Sequence, residues 1–200
     1  MSQQDDVDLI RRFVSSFERL DDLDYFDEPE PPAELRWEVE EDDGMCSGPG
    51  RRIEWRPAAI DTPADALSIF DDRVSARLPR LYKLLIQSYR WLEVHLESLC
   101  LFANPPGPDL QALFDQMYAD PVLNYTLNPA GFVRFAMAAS GCYDPVCFDL
   151  NQYHDGECPI VRFEHESILC FDKIGESEQI FSSFREMMES EIRIADASSE

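Results

Sequence analysis

Glycine is scarce in this chain, eight in two hundred residues, and none falls in a phosphate-cradling arrangement. Neither Gly-x-x-x-x-Gly-Lys nor Gly-x-Gly-x-x-Gly occurs. That disfavours a nucleotide cofactor, since those loops rely on glycine to bring backbone amides against a phosphate. Positive charge is equally thin: 17 Lys and Arg face 40 Asp and Glu, for a formal net charge of −23. Neutralising phosphates needs clustered basic side chains, so direct nucleic-acid binding is not expected, nor is attachment to an anionic membrane surface. No apolar run is long enough to span a bilayer and no charged-then-apolar leader opens the chain, which leads to the expectation of a cytoplasmic protein. Only three histidines are present. Gly-x-Ser-x-Gly is absent, Ser140 having Ala138 two places before it, so an esterase-type nucleophile elbow is not formed.

There is no Cys-x-x-Cys pair either. The six cysteines, at positions 46, 100, 142, 147, 158 and 170, read as free thiols packed as small hydrophobes. The series Cys142, Cys147, His154, Cys158, His165 matches no familiar zinc spacing, so neither a metal nor another cofactor is expected.

What is present is enough apolar side chain for a core, 44% of residues with 12% aromatic, in a length suited to one domain with an extension. Ile10, Phe13, Val14, Phe17 and Leu20 fall at helical spacing behind an acidic start, predicting an amphipathic helix over 5–20 that packs on the chain's own core. From Asp21 to Asp43 there are twelve acidic residues and one basic, Arg36, broken by prolines. Such a run is extended or a linker. Asp22, Asp24 and Asp27 lack the glycine and closing glutamate of a calcium loop. Around the Gly44–Gly50 turn region, Leu35–Val39 and Ile53–Trp55 alternate as a hairpin bearing Trp37 and Trp55, one that could add to a sheet edge.

Thr62-Pro63 signals a helix start, with the helix reaching about Asp71. Another helix is expected over 79–90 and others over 109–119 and 177–190, the last two capped by Asp109 and Ser177. Leu92–Leu96 alternates like a strand and Leu99–Ala103 is a short apolar run. The centre of the chain is Gly131–Phe171, with runs at Gly131–Met137, Val146–Leu150, Ile160–Glu164 and Ile168–Phe171. Val146, Phe148 and Leu150 share one side and Cys147 and Asp149 the other, the pattern of a half-buried strand, and likewise Val161 and Phe163 face a core with Ile160, Arg162 and Glu164 opposite. Ser140-Gly141, Asp144-Pro145 and Asp155-Gly156 supply the turns. Residues 193–200 read as an acidic tail.

Gly131–Ala136 (GFVRFA), Gly141–Leu150 (GCYDPVCFDL) and Cys158–Glu166 (CPIVRFEHE) together resemble the central sheet of the SMI1/KNR4 family of the SUKH superfamily. Leu78–Leu85 (LPRLYKLL) resembles that family's Leu-Pro, Tyr-Lys, Leu helix, and Ile180–Met188 its closing Ser-Phe helix. The resemblance spans about residues 62–190. It divides the chain into residues 1–60, an N-terminal helix with an acidic Pro-containing extension and hairpin; 61–192, an SMI1/KNR4-like domain; and 193–200. The fold class expected is α+β, with a single mixed or mainly antiparallel sheet flanked by helices.

For a bacterial member the resemblance implies an immunity protein that binds and neutralises a toxin, often a nuclease; for a fungal member it implies a regulator of cell-wall synthesis. The absence of catalytic motifs and the acidic charge suit a non-catalytic module with a basic protein partner, such as a toxin domain. Trp91 and Trp37 are candidate anchors, and Asp144, Asp149, His154 and Glu164 candidate polar contacts. Core burial is the competing reading for Trp91, and turn closure for Asp149. Two other classes stay open. One is a regulatory or scaffold protein of cell-wall or signalling assemblies, docking through the 21–43 segment. The other is a small hydrolase built on Asp149, His154 and His165.

Overall fold

Helical periodicity at the start of the chain becomes helix α1, Gln3–Leu20, with Asp5 and Asp6 in its first turn and Arg19 in its last, each placed to suit the helix dipole. The computed structural model describes residues 3–20, 31–40, 51–60, 62–63, 65–70, 74, 77–139, 143–171 and 173–198. The expectations for Asp21–Glu30, for the Gly44–Gly50 turn, for Ser140-Gly141 and for Cys46 and Cys142 lie outside them. The apolar stripe of α1, Leu9, Ile10, Phe13, Val14 and Phe17, is buried in the main core. That core therefore runs across the 60/61 boundary expected from the family resemblance.

Strands β1 (Arg36–Glu40) and β2 (Arg51–Trp55) pair antiparallel. The expected hairpin forms, but as a separate two-stranded sheet and not on the edge of the main one. Strand β3 (Ala58–Ala59) pairs with β4 (Tyr89–Arg90), which follows helix α2 (Arg80–Ser88). Near Thr62 the described helix is only a 3-10 turn, Ala66–Ile69. The Thr62 hydroxyl accepts from the buried Arg90 guanidinium, which also donates to Ile86 O at 2.7 Å.

Strands β5 (Val94–His95) and β6 (Leu99–Leu101) form a tight hairpin, followed by helices α3 (Gln111–Met117) and α4 (Pro121–Leu127). Asp120 makes α4 possible. Its carboxylate accepts the N–H groups of Val122 at 2.9 Å and Leu123 at 3.0 Å, with Pro121 at the first helical position, where its missing N–H does no harm. Then come β7 (Phe132–Ala138), β8 (Pro145–Asp149), β9 (Ile160–Arg162), helix α5 (His165–Phe171), β10 (Glu178–Phe181) and helix α6 (Phe184–Ala197).

The result is an α+β fold with six α-helices among the described residues and a six-stranded sheet in the order β10-β9-β8-β7-β6-β5, every pairing antiparallel. Each strand therefore lies beside its neighbour in sequence, joined by short connections at β5–β6 and β7–β8 and through helices at β6–β7 and β9–β10. The β8–β9 connection contains the tight turn Asp155-Gly156, both residues at positive φ, between His154 and Glu157.

Four expectations change. The run Ile168–Phe171 is helical, part of α5. Ser183, not Ser177, caps the last helix, accepting from Glu186 N, and β10 takes the place of the expected first turn. That helix continues to Ala197 and buries Ala195, so the chain does not turn into a tail at 193. Finally, β8 is not half-buried: all five of its residues are buried, because helices cover both faces of the sheet.

One face carries Val133, Phe135, Val146, Phe148 and Ile160 into the main core. Phe135 and Phe148 stack with centroids 3.9 Å apart, and Tyr82 of α2 and Phe184 of α6 meet Phe148 edge-on at 4.9 and 5.8 Å. Each such pair contributes about 0.5 to 1.5 kcal/mol beyond its buried area. The other face carries Cys147, Val161 and Phe163 into a smaller cluster with Leu123 and Leu127 of α4 and Ile168 of α5.

Candidate functional site

On this second face, between α4, α5 and the β5–β6 end of the sheet, lies an open cleft of about 610 Å³. Its floor is built by strand alternation. Arg134 and Met137 of β7 point here while Phe135 points into the main core, a β-bulge after Arg134 adjusting the register between them. The Arg134 side chain is buried and donates to the C-terminal carbonyls of α3, Gln116 O at 3.2 Å and Met117 O at 3.3 Å. Its guanidinium lies 5.3 Å from the centre of the Phe102 ring. Burial pulls the Arg134 pKa below its ordinary value, opposed by the nearby Asp120 carboxylate.

The walls are mostly apolar and partly exposed. Val122 and Leu169 stand at the ends of α4 and α5, Tyr143 rises between them at 73% exposure, and Glu93 and Asp120 mark the acidic rim. Tyr125, 86% exposed, is one helical turn beyond Val122, and Phe171 follows Leu169 at 68%. Of these exposed aromatics Tyr143 lines the concavity itself, and exposed aromatic side chains at a concavity are a feature of binding surfaces.

The residues singled out in the sequence are distributed differently. Trp91 is corrected from anchor to core: it is fully buried and its Nε1 donates to Phe102 O at 2.9 Å, so no partner can reach it. Trp37 is half-exposed on the β1–β2 hairpin, with the Arg56 guanidinium 4.0 Å over its ring. Asp149 closes the turn after β8, accepting from Asn151 N at 3.0 Å and Gln152 Nε2 at 2.6 Å. Asn151 in that turn packs tightly on Gly131, since a Cβ on that glycine, at φ +87°, would collide with the Asn151 amide. His154 is exposed on its hairpin and pairs with Asp155 at 2.9 Å. Glu164 accepts from Ser167 Oγ at 2.8 Å at the start of α5.

Asp144 does sit beside the cleft, next to Tyr143. Its Oδ1 accepts both the backbone N–H of His165, at 3.0 Å, and the ring Nδ1–H, at 2.7 Å. The Tyr143 and His165 rings meet edge-on at 6.3 Å. Partial burial pushes the Asp144 carboxyl up, but the two His165 hydrogen bonds and the neighbouring charge outweigh it and hold the pKa below its ordinary value.

The constellation proposed for hydrolysis is thereby divided. Asp144 precedes β8 and Asp149 ends it, so at about 3.4 Å per residue the His165 pair and Asp149 are some 17 Å apart along the strand. The cysteine series is divided too: Cys147 packs on the second face, Cys158 on the first. Burial pushes the Cys147 thiol up strongly and the Cys158 thiol up to about 12, the state of inert packed thiols.

Sequence reasoning missed Val122, Tyr125 and Leu169 because it placed no helix at 121–127 and a strand-like run at 168–171. The signal for the first was present in Asp120-Pro121 followed by Leu123 and Leu127 at i, i+4. No protein-family model and no curated protein matches the chain, so the likeness to SMI1/KNR4 proteins rests on its motifs alone.

Proposed function

We propose that this chain is a non-catalytic protein-binding module of the SMI1/KNR4 kind, an immunity-type protein that binds and neutralises a basic toxin domain through the cleft on the second face of its sheet. The observation that carries the reading is the gathering of Val122, Tyr143 and Leu169 around one acidic-rimmed concavity, with exposed Tyr125 one helical turn from Val122, in a chain of net charge −23. Acidic surface attracts a basic partner at long range and speeds encounter. The exposed tyrosines then supply rigid contact area, and desolvation at the cleft supplies short-range energy. Neutralisation is steric: the bound chain covers the partner's cleft, with Asp and Glu side chains standing where phosphates of a nucleic-acid substrate would lie.

The test is capture from lysate of the source organism with the wild type and with a Tyr125→Ala, Tyr143→Ala double variant, at low and high salt. A basic protein retained by the wild type, lost by the variant and bound more slowly as salt rises supports the reading. Equal retention by both chains, or a salt-independent on-rate, overturns it.

A further inference from the structure

The β5–β6 hairpin brings together three different donor groups that no spacing rule had picked out. His95 and Cys100 are directly opposed in the antiparallel register, so their side chains leave the same face of the hairpin, and Glu93, two residues before His95, shares that side. His95 Nε2 lies 3.7 Å from Glu93 Oε1 and 4.0 Å from Cys100 Sγ, and the three ligand atoms all lie within 4.8 Å of one another.

We propose that Glu93, His95 and Cys100 bind one divalent ion of the zinc class, with a fourth position open to water or to a ligand at the mouth of the cleft. The spacing suits such an ion. Tetrahedral coordination at ordinary Zn–N, Zn–O and Zn–S lengths puts neighbouring ligand atoms roughly 3.4 to 3.6 Å apart, so the two His95 distances close by a few tenths of an ångström and the Glu93–Cys100 pair by at most about 1.2 Å, within reach of the Glu93 side chain. The donor set is selective: imidazole and thiolate favour zinc-like ions over magnesium or calcium, which prefer all-oxygen shells. Thiolate and carboxylate together carry two negative charges, matching the ion. Binding therefore expels the Cys100 thiol proton and takes His95 neutral.

The scaffold is held in advance of any ion. Leu96 N donates to Leu99 O at 2.9 Å across the turn, and the buried Glu191 carboxylate accepts the N–H groups of Glu97 and Ser98 at 3.2 Å each. On the inner side Cys100 is paired with Met137, which lines the cleft, as does Glu93. The position is thus fixed from three directions, as a ligand site requires. This inference is independent of the identity of any protein partner.

The experiment is a cobalt(II) titration of the full chain, reduced with a phosphine and stripped of metal, followed by displacement with zinc. The expected result is a thiolate-to-cobalt charge-transfer band with visible bands of a tetrahedral ion, saturating at one equivalent and lost on adding zinc. Cys100→Ser removes the charge-transfer band. His95→Ala, at an exposed side chain, weakens binding by more than about 100-fold, exceeding the loss typical of a supporting residue around a metal site. Cys170→Ser, at the exposed cysteine, changes nothing. The proposal is overturned if no band saturates at one equivalent, if the band survives Cys100→Ser, or if His95→Ala weakens binding by less than about 100-fold. Should Cys100→Ser fail to fold by circular dichroism, His95→Ala decides alone.

Discussion

The Oε1 of Glu191 accepts the backbone N–H of Ser98 at 3.2 Å, across 93 positions of sequence, while its Oε2 takes the adjacent N–H of Glu97. Glu191 is fully buried on α6, so this carboxylate caps the tip of the β5–β6 hairpin from inside the protein. Removing it leaves two part-buried amides without their acceptor. We expect Glu191→Ala to lower stability by about 1 to 3 kcal/mol in urea unfolding, since a donor left unsatisfied carries part of its desolvation penalty. Amide exchange at Glu97 and Ser98 should accelerate in the same variant. Unchanged exchange there would show that the hairpin does not depend on this contact.

The Asp144–His165 pair gives an acid-sensitive contribution with a definite sign. The folded pKa of Asp144 lies below its ordinary 3.8, so its stabilisation is fully present above that value and is lost as pH falls through the lower folded value. Asp144→Asn should therefore cost about 1 to 2 kcal/mol near neutral pH. The gap to wild type should stay level down to about pH 5 and narrow below pH 4. Urea midpoints at a series of pH values measure this. A gap that widened on acidification would contradict the assignment.

Glu157 works in the opposite direction. Burial raises its pKa despite the Phe184 N–H donated to it at 3.1 Å and the nearby Arg185 and Arg80. Its contribution is most favourable below its ordinary 4.5 and diminishes as pH rises through the higher folded value. Glu157→Gln keeps an acceptor for Phe184 N without the half-buried charge. We expect a gain of about 0.5 to 1 kcal/mol at neutral pH and none at pH 4, read from thermal unfolding at both.

The fold was legible where one residue's pattern sufficed. Alternation in Val133–Phe135 and Val146–Phe148 gave strands, and 3- and 4-residue spacing from Ile10 to Phe17 gave α1. It was not legible where the answer depended on what lay across the sheet. Cys147 looked like a solvent-side position, and Ile160 like one set opposite a core-facing Val161, because nothing local announces that α4 and α5 cover the second face and that both residues are buried. Trp91 could be read as an anchor because a tryptophan beside Arg90 and Glu93 is equally apt for a patch, and only the Phe102 carbonyl and the Asn104 bridge, both distant in sequence, place it inside. The His95–Cys100 opposition likewise needs the hairpin register, which a two-residue strand does not declare.

Because α1 belongs to the main core, truncating residues 1–60 tests folding and not docking. Phe13 and Phe17 are fully buried and meet edge-on at 5.0 Å, and buried Asp6 pairs with both Arg80 and Arg185. Phe13→Ala should cost about 3 to 5 kcal/mol through the cavity it leaves. Asp6→Ala should cost about 1 to 3 kcal/mol, less than a fully buried pair because Arg80 is half in solvent. Urea unfolding of both variants measures this. Values within experimental error of wild type would mean that α1 is a detachable arm.

Trp91 and the exposed tyrosines Tyr125 and Tyr143 separate folding from recognition. Trp91→Ala removes a fully buried indole and its hydrogen bond to Phe102 O, so stability should fall by about 3 to 5 kcal/mol. Any loss of binding in that variant should track the unfolded fraction. Tyr125 and Tyr143 are largely solvent-exposed, so replacing either with alanine should leave stability within about 0.5 kcal/mol of wild type. If the cleft is the docking surface, each tyrosine should nevertheless weaken partner binding by roughly tenfold or more, the scale of one hot-spot side chain. Paired unfolding and binding curves on the three variants distinguish the roles. A Tyr125→Ala chain that unfolds like wild type and also binds like wild type would move the recognition surface elsewhere, with the half-exposed Trp37 on its own hairpin the next residue to replace.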